Sequence, residues 1–173
     1  MLELIEFIKD VLGYIIIIAI IILVRIYIIT PAQVNESSME PNLHNKQIIV
    51  IDQIRPRFYQ YERFDIVVFD HDNPSYLIKR IIGLPGEKVA FKDNKLYIND
   101  QEIAQPFEQN GDTEDFSITD LEYNTIPKDM YLVLGDNRIN SVDSRTIGLI
   151  PKDKITGKAL AIIWPLDQIK LIK

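Results

Sequence analysis

A serine, a lysine and a polar loop are the parts of this sequence that could carry out chemistry. Ser38 lies in ESSMEPNL at 36–43, where a nearby proline predicts a turn that presents the hydroxyl and backbone N–H to a cleft. Lys79 lies in the apolar run YLIKRII at 76–82, where desolvation favours the neutral amine and lowers the pKa of a lysine. A neutral lysine can take the proton from a serine hydroxyl, and serine–lysine pairs are a variant of serine hydrolase chemistry.

Each of these features also has a simpler interpretation. Serines are common in ordinary turns, so segment 36–43 alone carries little weight. A lysine on an edge strand reaches solvent and keeps its charge, and run 76–82 by itself favours that interpretation. The third feature, LGDNRINSVDSR at 134–145, is too polar for a strand. It is either an ordered loop held by hydrogen bonds and ion pairs or a plain surface loop.

The composition excludes several other chemistries. The 173 residues include no cysteine, which excludes thiol catalysis, disulfides and cysteine-bound zinc. Since His44 and His71 are the two histidines, a multi-histidine metal site is not expected, and we expect neither a metal nor another cofactor. The net charge of −6 argues against a general nucleic-acid binder, because contacts to phosphates need a basic surface.

The N-terminal segment, residues 1–30, contains the longest apolar run. Residues 11–29 have Arg25 as their one charge, and 19 residues form a helix of about 28 Å, close to the thickness of a bilayer's hydrocarbon core. This run predicts a single transmembrane anchor. A buried core helix would lack a second apolar segment to surround it, and a cleaved signal peptide is disfavoured by the acidic first ten residues. The flanking charges leave the orientation open.

Residues 31–173 are predicted to form a β domain. Seven short runs rich in β-branched and aromatic residues lie between turn signals, as in an all-β barrel or sandwich. These runs are 47–54, 64–70, 76–82, 88–93, 95–99, 130–136 and 157–164. The KDNK at 92–95 predicts a hairpin, and the stretch from Leu96 to Pro127 is acidic with neither Lys nor Arg. We therefore expect a surface insertion at about 92–127.

Four motifs, in this order, resemble those of bacterial type I signal peptidases, the serine peptidases of family S26. They are SM-x-P-x-L (38–43), RFDIVVF (63–69), KRIIGLPGE (79–87) and GDNR-x-NS-x-DSR (135–145). The resemblance covers nearly the whole chain, and the short acidic insertion and single anchor are similar to the compact enzymes of Gram-positive bacteria. It implies a mainly β catalytic domain, a β-barrel of the type shared with self-cleaving repressors, that carries a small inserted β subdomain.

The resemblance also implies roles for individual residues. Ser38 would be the nucleophile, with its own N–H as an oxyanion donor, and Lys79 would be the general base. A hydrogen bond between Ser141 and Lys79 would orient the lysine. Two ion pairs are also implied, one between Asp136 and Arg80 and one between Asp143 and Arg145, of which the second would brace the loop. Val34, Met39 and Ile78 would line shallow pockets for small substrate side chains.

Two residues depart from the pattern of the family. Asn42 stands where the family usually has threonine, at a position that supports the turn. Glu36 stands two residues before the nucleophile, where relatives carry glycine or a serine that assists the oxyanion. Because a carboxylate repels a developing oxyanion, we expect Glu36 to point away from the site, and a side-chain oxyanion donor is absent at this position.

These features predict a membrane-anchored serine endopeptidase that removes N-terminal signal peptides from exported preproteins, cutting after small residues at −1 and −3. Its partners would be the lipid bilayer and preproteins that emerge from the translocation machinery; the chain would be a monomer that binds no nucleic acid. The N-terminus would lie in the cytoplasm and residues 31–173 outside the cell membrane. The alternative is an inactive relative, a membrane-tethered β domain that binds extended peptides at a strand edge.

Overall fold

The computed structural model describes residues 2–27, 29–54, 58–71 and 76–172, and the side chains of all of these except 2–6, 8 and 23–29. Helix α1 spans Leu2–Tyr27. Within the described residues, none of the helices combines the length and the hydropathy that crossing a membrane requires. The anchor predicted at 11–29, together with Arg25, falls partly outside the described side chains.

The described apolar side chains of α1 lie on the surface. Every large apolar residue from Val11 to Ile22 is between 39% and 68% exposed. A core helix would have one face covered by other elements and would bury much of this surface. The alternative of a buried core helix is therefore wrong for these residues.

The rest of the described chain is mainly β, as predicted. Twelve strands lie in the described residues: β1 Ile29–Gln33, β2 Ile48–Asp52, β3 Ile66–Asp70, β4 Tyr76–Gly83, β5 Val89–Lys92, β6 Lys95–Ile98, β7 Gln101–Ile103, β8 Phe116–Ser117, β9 Met130–Leu134, β10 Ile150–Pro151, β11 Ile155–Trp164 and β12 Lys170–Leu171. A short helix, α2, spans Ser144–Ile147, and 3₁₀ turns span Ile118–Leu121, Lys152–Lys154 and Leu166–Gln168. Each of the seven predicted runs overlaps one strand, and β4 and β11 extend beyond their runs by one and two residues. The strands β7, β8, β10 and β12 have two or three residues, too few for a recognisable alternation.

The larger sheet contains the strands that carry the candidate catalytic residues. Its order is β1-β2-β11-β3-β4-β9-β10, with β12 paired to β11, and all its pairs are antiparallel. Strand β4 lies between β3 and β9, where Lys79 pairs with Val67 and Arg80 pairs with both Ile66 and Leu134. The interpretation of Lys79 as an edge-strand residue is therefore wrong.

Strand β4 is buried on both faces, which explains why its sequence is a continuous apolar run instead of an alternating one. Ile78 packs in one apolar cluster with Val34 and Met39, while its neighbour Leu77 packs in another with Ile81. Successive side chains of a strand point to opposite faces, so each face of β4 has its own core. Charged groups on this strand are consequently held inside the protein.

A second, smaller sheet has the order β7-β6-β5-β8 and corresponds to the expected insertion. The predicted hairpin at 92–95 is confirmed: β5 pairs with β6, and the two turn residues Asp93 and Asn94 have φ values of 49° and 62°. This sheet begins at Val89, before the start of the insertion expected at about 92, and Val89 is fully buried. It packs in one cluster with Ile82 of β4, so the insertion shares a core with the larger sheet.

Strand β1 was not expected, because it lies outside the seven predicted runs. Helix α1 ends at Tyr27 and β1 begins at Ile29, so the strand crosses the domain boundary drawn at residues 30 and 31. Pro31 lies opposite Val50 on a strand that pairs on one side only, with β2. A proline is tolerated there because an edge strand does not need every N–H for the ladder.

Candidate active site

The turn after β1 positions Ser38. Glu40 N–H donates to the carbonyl of Ser37 (3.1 Å), and Leu43 N–H donates to the carbonyl of Met39 (2.9 Å). Met39 and Leu43 are each 1% exposed and pack in the same apolar cluster, so two buried side chains fix the turn from below. Ser38 itself is 5% exposed, and among the described residues its N–H donates to no other group, which leaves it available to an oxyanion.

Lys79 is brought to Ser38 by β4. The Lys79 Nζ lies 2.7 Å from Ser38 Oγ, and the lysine side chain is completely buried. Burial lowers the pKa of Lys79 below its ordinary value, although the nearby carboxylates of Glu36, Asp143 and Asp136 oppose this effect. The pair therefore has two features that proton transfer from a serine needs: hydrogen-bond distance and a lysine whose pKa is lowered.

Glu36 does not point away from this pair, so that expectation is wrong. Its Oε2 lies 3.3 Å from Ser38 Oγ and 3.4 Å from Lys79 Nζ, and the side chain is 51% exposed. The expectation assumed an oxyanion, which forms only during a reaction. In the free protein no oxyanion repels the Glu36 carboxylate, and the lysine ammonium attracts it. The free site therefore contains three polar groups instead of two.

The loop between β9 and α2 contacts the nucleophile turn, which is residues 36–43 around the candidate nucleophile Ser38. Asn137 N–H donates to the carbonyl of Ser38 (2.9 Å), and its side-chain amide donates to the carbonyl of Ser37 (3.2 Å). A Cβ built at Gly135 would lie 2.5 Å from the Ser38 carbonyl oxygen and 2.2 Å from the Ser141 Oγ. Only glycine therefore allows the loop to approach the turn this closely.

The predicted pairing of Asp136 with Arg80 is present. Arg80 Nε and Nη2 donate to the two carboxylate oxygens of Asp136 at 2.8 and 2.6 Å, and both side chains are at most 2% exposed. Asn42 adds a third donor to Asp136 (2.9 Å) and also donates to the carbonyl of Glu108 (2.7 Å). The residue that departs from the family pattern thus links the nucleophile turn to the buried ion pair.

The predicted ion pair of Asp143 and Arg145 is also present. Arg145 Nε and Nη2 donate to the Asp143 carboxylate at 2.9 and 2.8 Å, and Gly135 N–H donates to it at 3.0 Å. Burial alone would raise the pKa of Asp143, but the hydrogen bonds from Arg145 and Gly135 outweigh it and lower this pKa. Asp143 also caps α2, so it joins the loop to the helix that follows.

The predicted hydrogen bond between Ser141 and Lys79 is absent. The Ser141 Oγ is buried and makes no hydrogen bond to Lys79; it lies beside the Asp143 carboxylate, whose pKa it helps to lower. It lies over the Cα of Gly135, on the loop side of the site, while the Lys79 amine is engaged by Ser38 and Glu36. The orientation of Lys79 in this structure therefore comes from those two groups.

The three residues predicted to line the substrate pocket lie together beside the nucleophile. Val34, Met39 and Ile78 form, with four further residues, a cavity of about 260 Å³. The other four are Asn35, Glu36, Ser38 and Tyr76. A larger cavity of about 900 Å³, bordered by Tyr61 and Lys152 among others, lies away from the nucleophile. Of these two cavities, the small one is lined by Ser38 and therefore adjoins the dyad.

Several known proteins are similar to this chain in sequence or in fold. A family model described as "Signal peptidase, peptidase S26" matches residues 4–164. The chain belongs to this family. It is 36% identical to "Signal peptidase IB" of Staphylococcus aureus (strain COL) over 94% of each chain, and 35% identical to "Signal peptidase I" of Bacillus amyloliquefaciens over 88% of this chain and 85% of the other.

A solved structure of the same family is similar in fold. The crystal structure of a signal peptidase I from Enterococcus faecalis V583 matches with a TM-score of 0.52 and 37% identity, over 58% of this chain and 97% of that chain. The resemblance inferred from the four sequence motifs is confirmed. The S26 fold is mainly β in this chain too, with antiparallel sheets.

The S26 motifs identified most of this site, but some contacts had no signal in the sequence. Asn137 lies in one of the four motifs, but the sequence did not reveal its contact with the nucleophile turn. Tyr76 lies in a predicted run, but the sequence did not reveal that it lines the cavity. Glu36 was identified as a departure, and its direction was predicted wrongly. Within the described residues, no group of His, Asp or Glu is arranged to hold a metal ion.

Proposed function

We propose that this chain is a type I signal peptidase, a serine endopeptidase that removes N-terminal signal peptides from exported preproteins. Membership of the S26 family supports the reaction class. The observation that carries the mechanism is the 2.7 Å contact between Ser38 Oγ and a completely buried Lys79 Nζ. This pair is the arrangement expected of a serine nucleophile and a lysine general base.

In the proposed mechanism, Lys79 removes the proton from Ser38 Oγ as that oxygen bonds to the carbonyl carbon of the scissile peptide. The carbonyl oxygen becomes an oxyanion beside the N–H of Ser38. The Lys79 ammonium then gives its proton to the leaving amine of the mature protein, which leaves the signal peptide as an ester of Ser38. Neutral Lys79 next takes a proton from water, whose attack on the ester releases the signal peptide and restores the serine.

The cavity beside Ser38 supports cleavage after small residues at −1 and −3. Val34, Met39 and Ile78 are each at most 6% exposed, and they form apolar walls for a cavity of about 260 Å³. A cavity of this size has room for alanine-sized side chains and the backbone between them, whereas a large side chain would have to displace buried groups. Substrate residues at −1 and −3 of an extended peptide point to the same side, so neighbouring pockets can take both.

We also propose that α1 anchors the protein in the cell membrane, with the β domain on the extracytoplasmic face. The support is the apolar run at 11–29 and the exposure of its side chains from Val11 to Ile22, since such a surface marks a contact with lipid or protein. A tethered active site would meet preproteins emerging from the translocation machinery at high effective concentration. Extraction of membranes at alkaline pH tests this: the chain should stay with the lipid, and release into the supernatant would refute the anchor.

A cleavage assay tests the dyad. Detergent-solubilised full-length protein is incubated with a preprotein that carries an A-x-A cleavage site, and the mature product is identified by mass. Ser38→Ala and Lys79→Ala should each lower the rate at least about a thousandfold, with circular dichroism unchanged. Ser37→Ala and Lys88→Ala are matched controls, because they remove the neighbouring serine and an exposed lysine.

Two outcomes would overturn the proposal. Unchanged cleavage in Ser38→Ala or Lys79→Ala would eliminate the dyad. A wild-type protein that binds the preprotein without cutting it would favour the alternative, a tethered domain that binds extended peptides. Activity retained in both control variants and lost in both dyad variants would support the proposed function.

A further inference from the structure

Among the described residues, Glu36 is the one acid at the dyad that is not paired with an arginine. Three carboxylates face Lys79, those of Glu36, Asp143 and Asp136. Asp136 is paired with Arg80 (2.6 Å) and Asp143 with Arg145 (2.8 Å). In the described part of the chain, the ion pair of Glu36 is with Lys79 itself, at 3.4 Å.

The position of Glu36 favours a charged lysine. A carboxylate at this distance stabilises the ammonium form of Lys79 and opposes the effect of burial. Glu36 also accepts from Ser38 Oγ at 3.3 Å, so it competes with Lys79 for the serine proton. Because of these contacts, Lys79 in the free protein is protonated for a larger fraction of the time than burial alone would allow.

The same carboxylate stands in the path of the substrate. Glu36 lines the cavity of about 260 Å³ together with Val34, Met39 and Ile78. Its side chain is 51% exposed, so it can rotate into solvent without breaking a buried contact other than those with the dyad. A peptide that enters this apolar cavity would desolvate the carboxylate, which favours its displacement into water.

We propose that Glu36 is a positioning residue that holds the Ser38–Lys79 pair in a charged resting state and is displaced when a substrate fills the cavity. This inference rests on the proposed function, because it assigns the displacement to a preprotein. Once the carboxylate leaves, the amine is surrounded by apolar groups and by aspartates that are already paired. The lysine then loses its proton more readily, and the base becomes active only with substrate in place.

The pH dependence of cleavage distinguishes the free protein from its complex. The acid limb of kcat/KM reports the free enzyme, and the acid limb of kcat reports the enzyme–substrate complex. We expect the kcat limb of the wild type to lie at lower pH than its kcat/KM limb. In Glu36→Gln the kcat/KM limb should move to lower pH and the gap between the two limbs should close. On the acid limb, kcat/KM should rise about three- to tenfold.

Two further variants separate this effect from other causes. Glu36→Gly removes the carboxylate without supplying an amide that could bind the oxyanion, and it should move the limb in the same direction. Glu40→Gln removes a nearby carboxylate that lies 3.8 Å from His44 and makes no contact with the dyad, so its limbs should match the wild type. The ¹³Cε signal of Lys79, assigned by its loss in Lys79→Ala, should titrate at lower pH in both Glu36 variants.

The outcomes separate the two proposals. If the wild type cleaves and the kcat/KM limb of Glu36→Gln coincides with that of the wild type, the role of Glu36 is refuted and the proposed function stands. A gap between the limbs that persists in Glu36→Gln also refutes the displacement. If the wild type cleaves at no pH, the proposed function fails, and the ¹³C titration still reports whether Glu36 charges Lys79 in the free protein.

Discussion

Replacing Asp136 with asparagine should be among the most damaging single changes in this protein. Arg80 is 2% exposed and places two of its N–H groups on Asp136, at 2.8 and 2.6 Å. Asparagine has nearly the same shape but no charge, and its amide group would face a donor from either Arg80 or Asn42. The guanidinium would remain charged and buried and would lose the negative charge of Asp136, since an arginine does not lose its proton in a protein.

The expected cost is about 3–5 kcal/mol, the range for breaking one partner of a buried ion pair. With a urea m-value of roughly 2 kcal/mol per molar, the unfolding midpoint should fall by about 2 M. Equilibrium unfolding of the full chain in detergent, followed by circular dichroism, measures this shift. Lys88→Gln is the control: its pair with Asp100 is 46% and 78% exposed and should contribute less than about 1 kcal/mol.

A double variant tests whether the charges of Arg80 and Asp136 are energetically coupled. Arg80→Met combined with Asp136→Leu removes both charges and keeps apolar volume, so it should be more stable than Asp136→Asn alone. The reasoning is refuted if Asp136→Asn costs no more than Lys88→Gln. It is equally refuted if the double variant loses the sum of the two single effects, because the pair would then not be coupled.

Three further predictions concern the elements around the dyad. Because the pKa of Lys79 is lower in the folded protein, the unfolded chain binds more protons, and folding stability rises with pH up to the unfolded pKa of about 10.4. Lys79→Met lacks this dependence, so its stability relative to the wild type, measured by urea titration, should decline between pH 7 and 10. Gly135→Ala forces a Cβ to 2.5 Å from the Ser38 carbonyl oxygen, so it should lower the free energy of unfolding by about 1–3 kcal/mol and the cleavage rate at least about tenfold. Gly13→Ala is the control: no atom lies within 4 Å of its Cβ, and the rate should not change. Asn42→Ala removes donors from Asp136 and from the Glu108 carbonyl and should lower the unfolding free energy by about 1–3 kcal/mol; an unchanged midpoint would show that water replaces both contacts.

Local sequence determined the elements of this fold better than their arrangement. Runs such as 64–70 and 130–136 became strands because β-branched and aromatic residues pack well on a pleated sheet, and here both strands are almost entirely buried. Whether β4 is an edge or a central strand depends on β9, whose Leu134 pairs with Arg80 more than fifty residues earlier in the chain. No pattern within 76–82 contains that information, which is why the edge interpretation of Lys79 was reasonable and wrong.

The candidate site shows the same division between local and distant information. Ser38 and Lys79 were identified because their motifs resemble those of a known family, and their contact agrees with that identification. The direction of Glu36 depends on a lysine 43 residues away, so the residue type alone could not predict it. The hydroxyl of Ser141 likewise faces Gly135 because of how the loop folds back, which its position in a motif does not reveal.

The order of strands in the larger sheet also determines when the site can form during synthesis. Strand β11, residues 155–164, lies between β2, which adjoins the nucleophile turn, and β3, which pairs with the strand that carries Lys79. The two halves of the dyad are therefore joined through a strand that leaves the ribosome more than seventy residues after the lysine. During synthesis, Ser38 and Lys79 are therefore both present before the strand that completes the sheet between them. The contact between Ser38 and Lys79 therefore depends on a strand that is synthesised after both residues, and the complete site cannot form before β11 joins the sheet.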